Sequence, residues 1–222
     1  MPNASLKAVI FDLDGTLTDS DKVHFQVFQD FLSAHDISLD RAMYRQRISG
    51  RQNSAILADF LPQLPRAEAE AFSEKKEATF RKLAKGQIEP LPGLLTFLVR
   101  IEQCGLPAAV VTNAPPKNAN FMLGELNLSD HFSPVVIGDE LPRGKPDPLP
   151  YQTALDKLGL KADEAIAFED SRAGIRSAVG AGIQTIGMMT THSAAELTEA
   201  GAARAIADFT DDYIQSLLLS AL

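Results

Sequence analysis

Cysteine, positive charge and long apolar runs are all scarce in this 222-residue chain. A single cysteine excludes an internal disulfide, and Cys104, lying in an apolar helical pattern, reads as a buried core residue. No apolar stretch approaches the roughly 20 residues a helix needs to cross a bilayer. The opening Met1-Pro2-Asn3-Ala4-Ser5-Leu6-Lys7 lacks the apolar core of a signal peptide, so a cytoplasmic address is expected. Acidic residues number 29 against 21 lysines and arginines, for a formal net charge of −8. That balance disfavours nucleic acid and anionic membrane as partners, since both call for a basic surface. It would also repel a small phosphorylated ligand, so a site for one must bring its own lysine, arginine or bound metal. The length suits one good-sized domain, or one domain carrying a smaller inserted one.

What is present begins with Ala8-Val9-Ile10-Phe11, a short apolar run that reads as a buried strand. It runs straight into Asp12-Leu13-Asp14-Gly15-Thr16, so two carboxylates leave the strand together beside a glycine that permits a sharp turn. The C-terminal edge of a parallel sheet is where α/β folds bind ligands. One carboxylate there could attack phosphorus while the other handles a proton. Taken alone, the segment is equally compatible with a turn or a helix cap, for which Asp and Gly are common choices.

Beyond Ser20 no strand is apparent until about residue 88. Helices suit Asp21 to His35, Asp40 to Ile48, Ser54 to Phe60 and Arg66 to Leu83, the last with a solvated face over most of its length. From Pro90 onward strands and helices alternate. Strands are expected at Pro107–Thr112, Pro134–Gly138, Ala165–Phe168, Gln184–Gly187 and Arg204–Ala207. Helices are expected from Leu91 to near Gly105, Ala119 to Leu128, Pro148 to Leu158 and Arg172 to Ala181. Repeated β-α-β units imply an α/β fold with a parallel sheet covered by helices on both faces. The expected division is a core of residues 1–17 and 89–222, with residues 18–88 inserted after the first strand, over the edge that carries the Asp pair. No internal repeat or low-complexity segment interrupts it.

Three further polar clusters fall on the same expected edge. Thr112-Asn113 ends the second strand, Lys145-Pro146 follows the third, and Glu169-Asp170-Ser171 ends the fourth. Each has a plainer explanation as turn, solvated loop or helix cap. Their joint placement at successive strand ends is harder to attribute to turn chemistry. Acids converging there from separate strands would repel one another unless neutralised, and hard oxygen ligands of this sort suit Mg²⁺.

In that order, Asp12-Leu13-Asp14-Gly15-Thr16, Val111-Thr112-Asn113, Lys145-Pro146 and Phe168-Glu169-Asp170-Ser171 resemble the four motifs of the haloacid dehalogenase (HAD) superfamily. The match spans nearly the whole chain. The helical insert is similar to the C1-type cap of the phosphoglycolate phosphatase and β-phosphoglucomutase branch. Within it, Asp19-Ser20-Asp21-x-x-His24, Gly50-Arg51-Gln52-Asn53-Ser54, Lys76-Glu77-Ala78 and Thr112-Asn113-Ala114-Pro115 resemble the small general phosphatase and sugar-phosphatase group.

The resemblance implies a Rossmann-like core and an Asp12 nucleophile that becomes an aspartyl-phosphate. It implies Asp14 as general acid/base, and Thr112, Asn113 and Lys145 on the phosphate oxygens. Mg²⁺ would be held by Asp12, the backbone carbonyl of Asp14 and Asp170, with Glu169 ligating directly or through water. His24, Arg51, Gln52, Asn53 and Lys76 of the cap would face the substrate, although Arg51 and Lys76 could be ordinary solvated charges and His24 a helix-face histidine. The expected activity is a Mg²⁺-dependent phosphatase of small phosphate monoesters such as sugar phosphates, in a monomer or weak dimer. A β-phosphoglucomutase-like phosphomutase is the alternative, using the same core residues. A non-catalytic domain binding phosphate or a protein partner would have lost a nucleophile or metal ligand, and here every such position holds a competent residue.

Overall fold

The computed structural model describes residues 6–219. The outermost residues of the expected core, 1–5 and 220–222, lie outside the described residues.

Strand β1 (Ala8–Phe11) is apolar and buried on both faces, as a central strand of a parallel sheet must be. It pairs on one side with β2 (Ala108–Thr112), which continues to β3 (Val135–Ile137). On its other side lies β4 (Ala165–Glu169), followed by β5 (Gln184–Met188) and β6 (Arg204–Ile206). The sheet is parallel throughout, in the order β3-β2-β1-β4-β5-β6. The chain therefore builds outward from β1 one way, then returns to build the other way. Such a reversal of strand order opens a crevice at the carboxyl ends, here between β1 and β4.

Four helices separate β1 from the rest: α1 (Asp21–Ser33), α2 (Arg41–Arg47), α3 (Asn53–Phe60) and α4 (Arg66–Ala84). No strand occurs among the described residues between Ser20 and Ile88. The four helices share an apolar centre that includes Phe28, Leu32, Tyr44, Ile56 and Leu61. Val27 of α1 and Phe80 and Ala84 of α4 belong instead to the main core, with Phe11, Leu17 and Phe97. The insert thus keeps its own interior and roots two of its helices in the sheet's packing.

The remaining helices are α5 (Leu94–Gln103), α6 (Pro116–Glu125), α7 (Leu149–Leu158), α8 (Arg172–Gly180), α9 (Ala194–Ala200) and α10 (Asp212–Leu219). Helix α6 starts three residues earlier than its apolar pattern suggests, because Pro116 takes the first helical position, where a missing N–H costs nothing. Helices α9 and α10 go beyond the sequence expectation. Helix α9 carries a readable signal, Ser193-x-x-Glu196, and the two side chains cap each other's backbone as a capping box. Cys104 is half-buried at the edge of the main core, not fully enclosed.

Candidate active site

The turn after β1 is fixed by Gly15, whose φ of 76° lies in the left-handed region. A Cβ on Gly15 would lie 2.2 Å from Oδ2 of Asp170, so no other residue fits without displacing that carboxylate. This close approach brings the ends of β1 and β4 together. Carboxylate oxygens of Asp12, Glu169 and Asp170 lie within 4.8 Å of one another, all three side chains buried. Burial pushes the Asp12 carboxyl well above its ordinary value, and Glu169 adds to the rise while Lys145 opposes it. Burial likewise raises Asp170, helped by Asp12 and Asp21. Carboxylates that burial and mutual repulsion both disfavour as anions form a donor set that a hard divalent cation would satisfy.

Lys145 reaches into the group from the loop before α7. Its Nζ donates to Asp12 Oδ1 at 2.5 Å, to Glu169 Oε1 at 2.5 Å and to the Val111 carbonyl at 2.7 Å. Burial alone would lower its pKa, but Asp12 and Glu169 outweigh that and raise it, so the ammonium stays charged. Tyr151 of α7 donates to the same Glu169 oxygen at 2.7 Å.

Asp14 sits two residues from Asp12 in a different setting. Ser20 Oγ donates to its Oδ1 at 2.6 Å, and His24 Nε2 lies 3.0 Å from the same oxygen. Burial works against its charge, yet the His24 hydrogen bond and charge and the Ser20 hydroxyl prevail, and the carboxyl falls below its ordinary value. The His24 ring stacks on Phe80 at 3.9 Å, and its Nδ1 is 3.5 Å from Lys76 Nζ. Lys76 is buried and paired at 2.7 Å with Glu77, which also accepts from Asn53 at 2.6 Å and from Asn118 of α6. Lys75, one position along, is exposed, as helical geometry expects.

The other expected residues divide. Thr112 is buried beside the site, its hydroxyl accepting from the Ala114 N–H at 2.9 Å. Asn113 donates to the Gly50 carbonyl at 3.0 Å and the Lys145 carbonyl at 3.1 Å, binding insert to core. Gly50 permits this contact, since a Cβ there would meet Ser171 Oγ at 2.3 Å and its φ is 73°. Arg51 lines the cavity, but its guanidinium turns back to Asp59 at 2.6 Å and to the Arg47 and Ala55 carbonyls. Gln52 is not among the lining residues; its amide donates to Asp139 at 2.9 Å. Asp14's carboxylate does not join the cluster of Asp12, Glu169 and Asp170.

Sequence reasoning gave no role to Ser20, Glu77, Asn118, Tyr151 or Thr191; the single Thr191 hydroxyl lies within hydrogen-bond reach of both Asp170 and Asp21 and donates to one of them. The four-residue spacing of Ser20 and His24, which puts both on one helix face, could have found the first. Glu77 stands beside Lys76 in the Lys76-Glu77-Ala78 segment; nothing local marks Asn118, Tyr151 or Thr191. Asp12, Asp14, His24, Lys76, Glu77, Asn118, Lys145 and Asp170 are among the residues lining a cavity of about 70 Å³ between sheet edge and insert.

Residues 9–188 match the sequence model of the haloacid dehalogenase-like hydrolases. The chain belongs to that family. It is 30% identical over 194 residues to validoxylamine A 7'-phosphate phosphatase of Streptomyces hygroscopicus subsp. limoneus, covering 87% of this chain and 91% of the relative. It is 32% identical over 211 residues to phosphoglycolate phosphatase of Rhodospirillum rubrum, covering 91% and 88%. The crystal structure of CbbY from Rhodobacter sphaeroides with xylulose-(1,5)bisphosphate superposes with a TM-score of 0.81 at 26% identity, covering 93% of this chain and 96% of that one. HAD enzymes of this phosphatase and β-phosphoglucomutase-like branch are thus its relatives in sequence and fold, and the chain is an enzyme of the phosphoric monoester hydrolase type. No helix among the described residues is long and apolar enough to cross a membrane.

Proposed function

We propose that the protein hydrolyses small phosphate monoesters, with sugar phosphates as the expected class, through an aspartyl-phosphate on Asp12. The supporting observation is the contrast between two carboxylates on one turn. Asp12 is buried, bonded to Lys145 and clustered with Glu169 and Asp170, while Asp14 is partly buried and bonded to Ser20 and His24. One carboxylate in an acid cluster suited to a cation, and a second on the same turn with its own hydroxyl and imidazole partners, divide the work of nucleophile and proton carrier.

In this reading Asp12, the backbone carbonyl of Asp14 and Asp170 would hold Mg²⁺, with Glu169 ligating directly or through water, and the ion when bound offsets the repulsion between carboxylate and phosphate dianion. Lys145, bonded to Asp12 and Glu169, would in this reading take a phosphate oxygen, as would Thr112 and the backbone N–H of Asn113. An oxygen of Asp12 attacks phosphorus, the ester P–O bond breaks, and Asp14 gives its proton to the departing alkoxide. In the free protein the His24 and Ser20 contacts hold the Asp14 carboxyl below its ordinary value; the like charge of a bound phosphate dianion would favour the protonated form the step needs. It then takes a proton from the water that attacks the aspartyl-phosphate and releases inorganic phosphate.

Residues 18–88 serve in this reading as a cap over a core of 1–17 and 89–222. The tight cavity and the Gly50–Asn113 and Gln52–Asp139 contacts support a closed arrangement that must open to admit substrate. Phosphate release from p-nitrophenyl phosphate, with and without Mg²⁺, tests the activity, and mass spectrometry for phosphate on Asp12 tests the intermediate. A fully active Asp12→Ala protein would overturn the reading. Glucose 1-phosphate separates the mutase alternative, which yields glucose 6-phosphate in place of free phosphate.

A further inference from the structure

The basic side chains lining the cavity are His24, Arg51, Lys76 and Lys145. Lys145 belongs to the phosphate end, bound to Asp12 and Glu169. The other three come from the insert. Each already has a carboxylate: His24 meets Asp14 at 3.0 Å, Arg51 meets Asp59 at 2.6 Å, and Lys76 meets Glu77 at 2.7 Å. The Lys76–Glu77 pair is almost fully enclosed, at 3% and 7% side-chain exposure, so neither charge can turn to solvent.

Glu77 decides the character of this wall. Two amides, from Asn53 and Asn118, and the ammonium of Lys76 all point at its carboxylate. Burial alone would favour its neutral form, but Lys76, His24 and these hydrogen bonds hold its carboxyl below the ordinary value. A second anion brought to Lys76 would therefore confront a buried, ionised carboxylate. One brought to Arg51 would have to displace Asp59 and two carbonyl bonds. Hydroxyls meet neither obstacle, because a hydroxyl can donate to Glu77 and accept from Lys76 at once.

Resting on the phosphatase reading, we propose that Glu77 and Asp59 make the leaving-group wall electrically neutral, so that the enzyme selects phosphate esters of neutral polyhydroxy alcohols and rejects those bearing a second phosphate or a carboxylate. In this it would part from relatives whose named ligands, phosphoglycolate and xylulose-(1,5)bisphosphate, carry a second anion.

The test compares kcat/KM for two matched pairs with p-nitrophenyl phosphate as a common reference. The pairs are glycerol 3-phosphate against 3-phosphoglycerate, and glucose 6-phosphate against glucose 1,6-bisphosphate. The neutral member should be favoured by at least about tenfold in each pair, since like charges brought together in a partly desolvated site are strongly penalised. Asp59→Asn, at an exposed position, releases Arg51 without emptying a buried site and should narrow the ratio severalfold. Glu77→Gln should narrow it further, with p-nitrophenyl phosphate turnover reporting whether the variant is intact. Equal or better use of the anionic member by an enzyme active on p-nitrophenyl phosphate overturns this proposal alone. Absence of any turnover of p-nitrophenyl phosphate with Mg²⁺ overturns the phosphatase reading and this proposal together.

Discussion

At the scale of single residues, the site depends on giving identical side chains different surroundings. Asp12 and Asp14 differ in what lies within hydrogen-bond reach: a lysine shared with another acid for one, a serine and a histidine for the other. Replacing Asp14 by Asn keeps shape but removes the transferable proton. It should lower kcat by about 10²–10⁴-fold, the usual contribution of a positioned acid/base, while inorganic phosphate still competes for the site. Steady-state kinetics with phosphate inhibition checks both halves of that expectation. Glu77 makes a separate, structural prediction. Its folded pKa lies below its ordinary value of 4.5, so between the two values the folded chain holds fewer protons than the unfolded one. Stability from this group is therefore present above about pH 4.5 and is lost as pH falls through the folded value. The acid limb of Tm against pH should be shallower in Glu77→Gln than in the parent.

At the scale of elements, α4 does the most varied work. It reads in sequence as a largely solvated helix, yet Lys76, Glu77, Phe80 and Ala84 form a buried stripe along one side. Phe80 packs in the main core and is the platform on which the His24 ring lies. Phe80→Ala should destabilise the chain by about 3–5 kcal/mol, the usual cost of emptying a buried aromatic site. It should also depress kcat where the protein remains folded, because His24 loses the surface that aims it at Asp14; chemical denaturation and kinetics on one preparation separate the effects. Strands were legible as short continuous apolar runs bounded by turn residues, and most helices from their 3.6-residue apolar period. The stripe on α4 was not, since a Lys-Glu pair inside a charged run looks the same in sequence whether it meets water or the Asn118 of another helix. The start of α6 lies at Pro116 and not Ala119 for a different reason: the apolar period begins only at Ala119, while proline at a helix's first position is well tolerated.

At the scale of the whole molecule, acids from β1 and β4 meet at the reversal of strand order, inside a chain whose net charge is already −8. Holding that cluster without a cation is costly, so metal binding should appear as stability. Mg²⁺ at about a hundred times its Kd would add about 2.7 kcal/mol, a Tm rise of roughly 5–10 °C for a chain this size. Asp170→Asn removes one of the mutually repelling carboxylates. It should raise Tm in metal-free buffer and abolish the Mg²⁺ response, which differential scanning calorimetry with and without chelator can follow.

The local pattern settled a great deal: the alternation of strands and helices, the all-helical segment after β1, and the acids, threonine and lysine at strand ends. Those features are written in short-range periodicity and in residue types that only a few turns or sites accommodate. The tertiary structure alone decided that Arg51 is held by Asp59, that Gln52 reaches Asp139 and not the cavity, and that Glu77 and Asn118 stand at its wall. Partners 8 to 87 positions apart are chosen by packing and by the need of buried polar groups for hydrogen bonds, and neither leaves a mark on the neighbouring sequence.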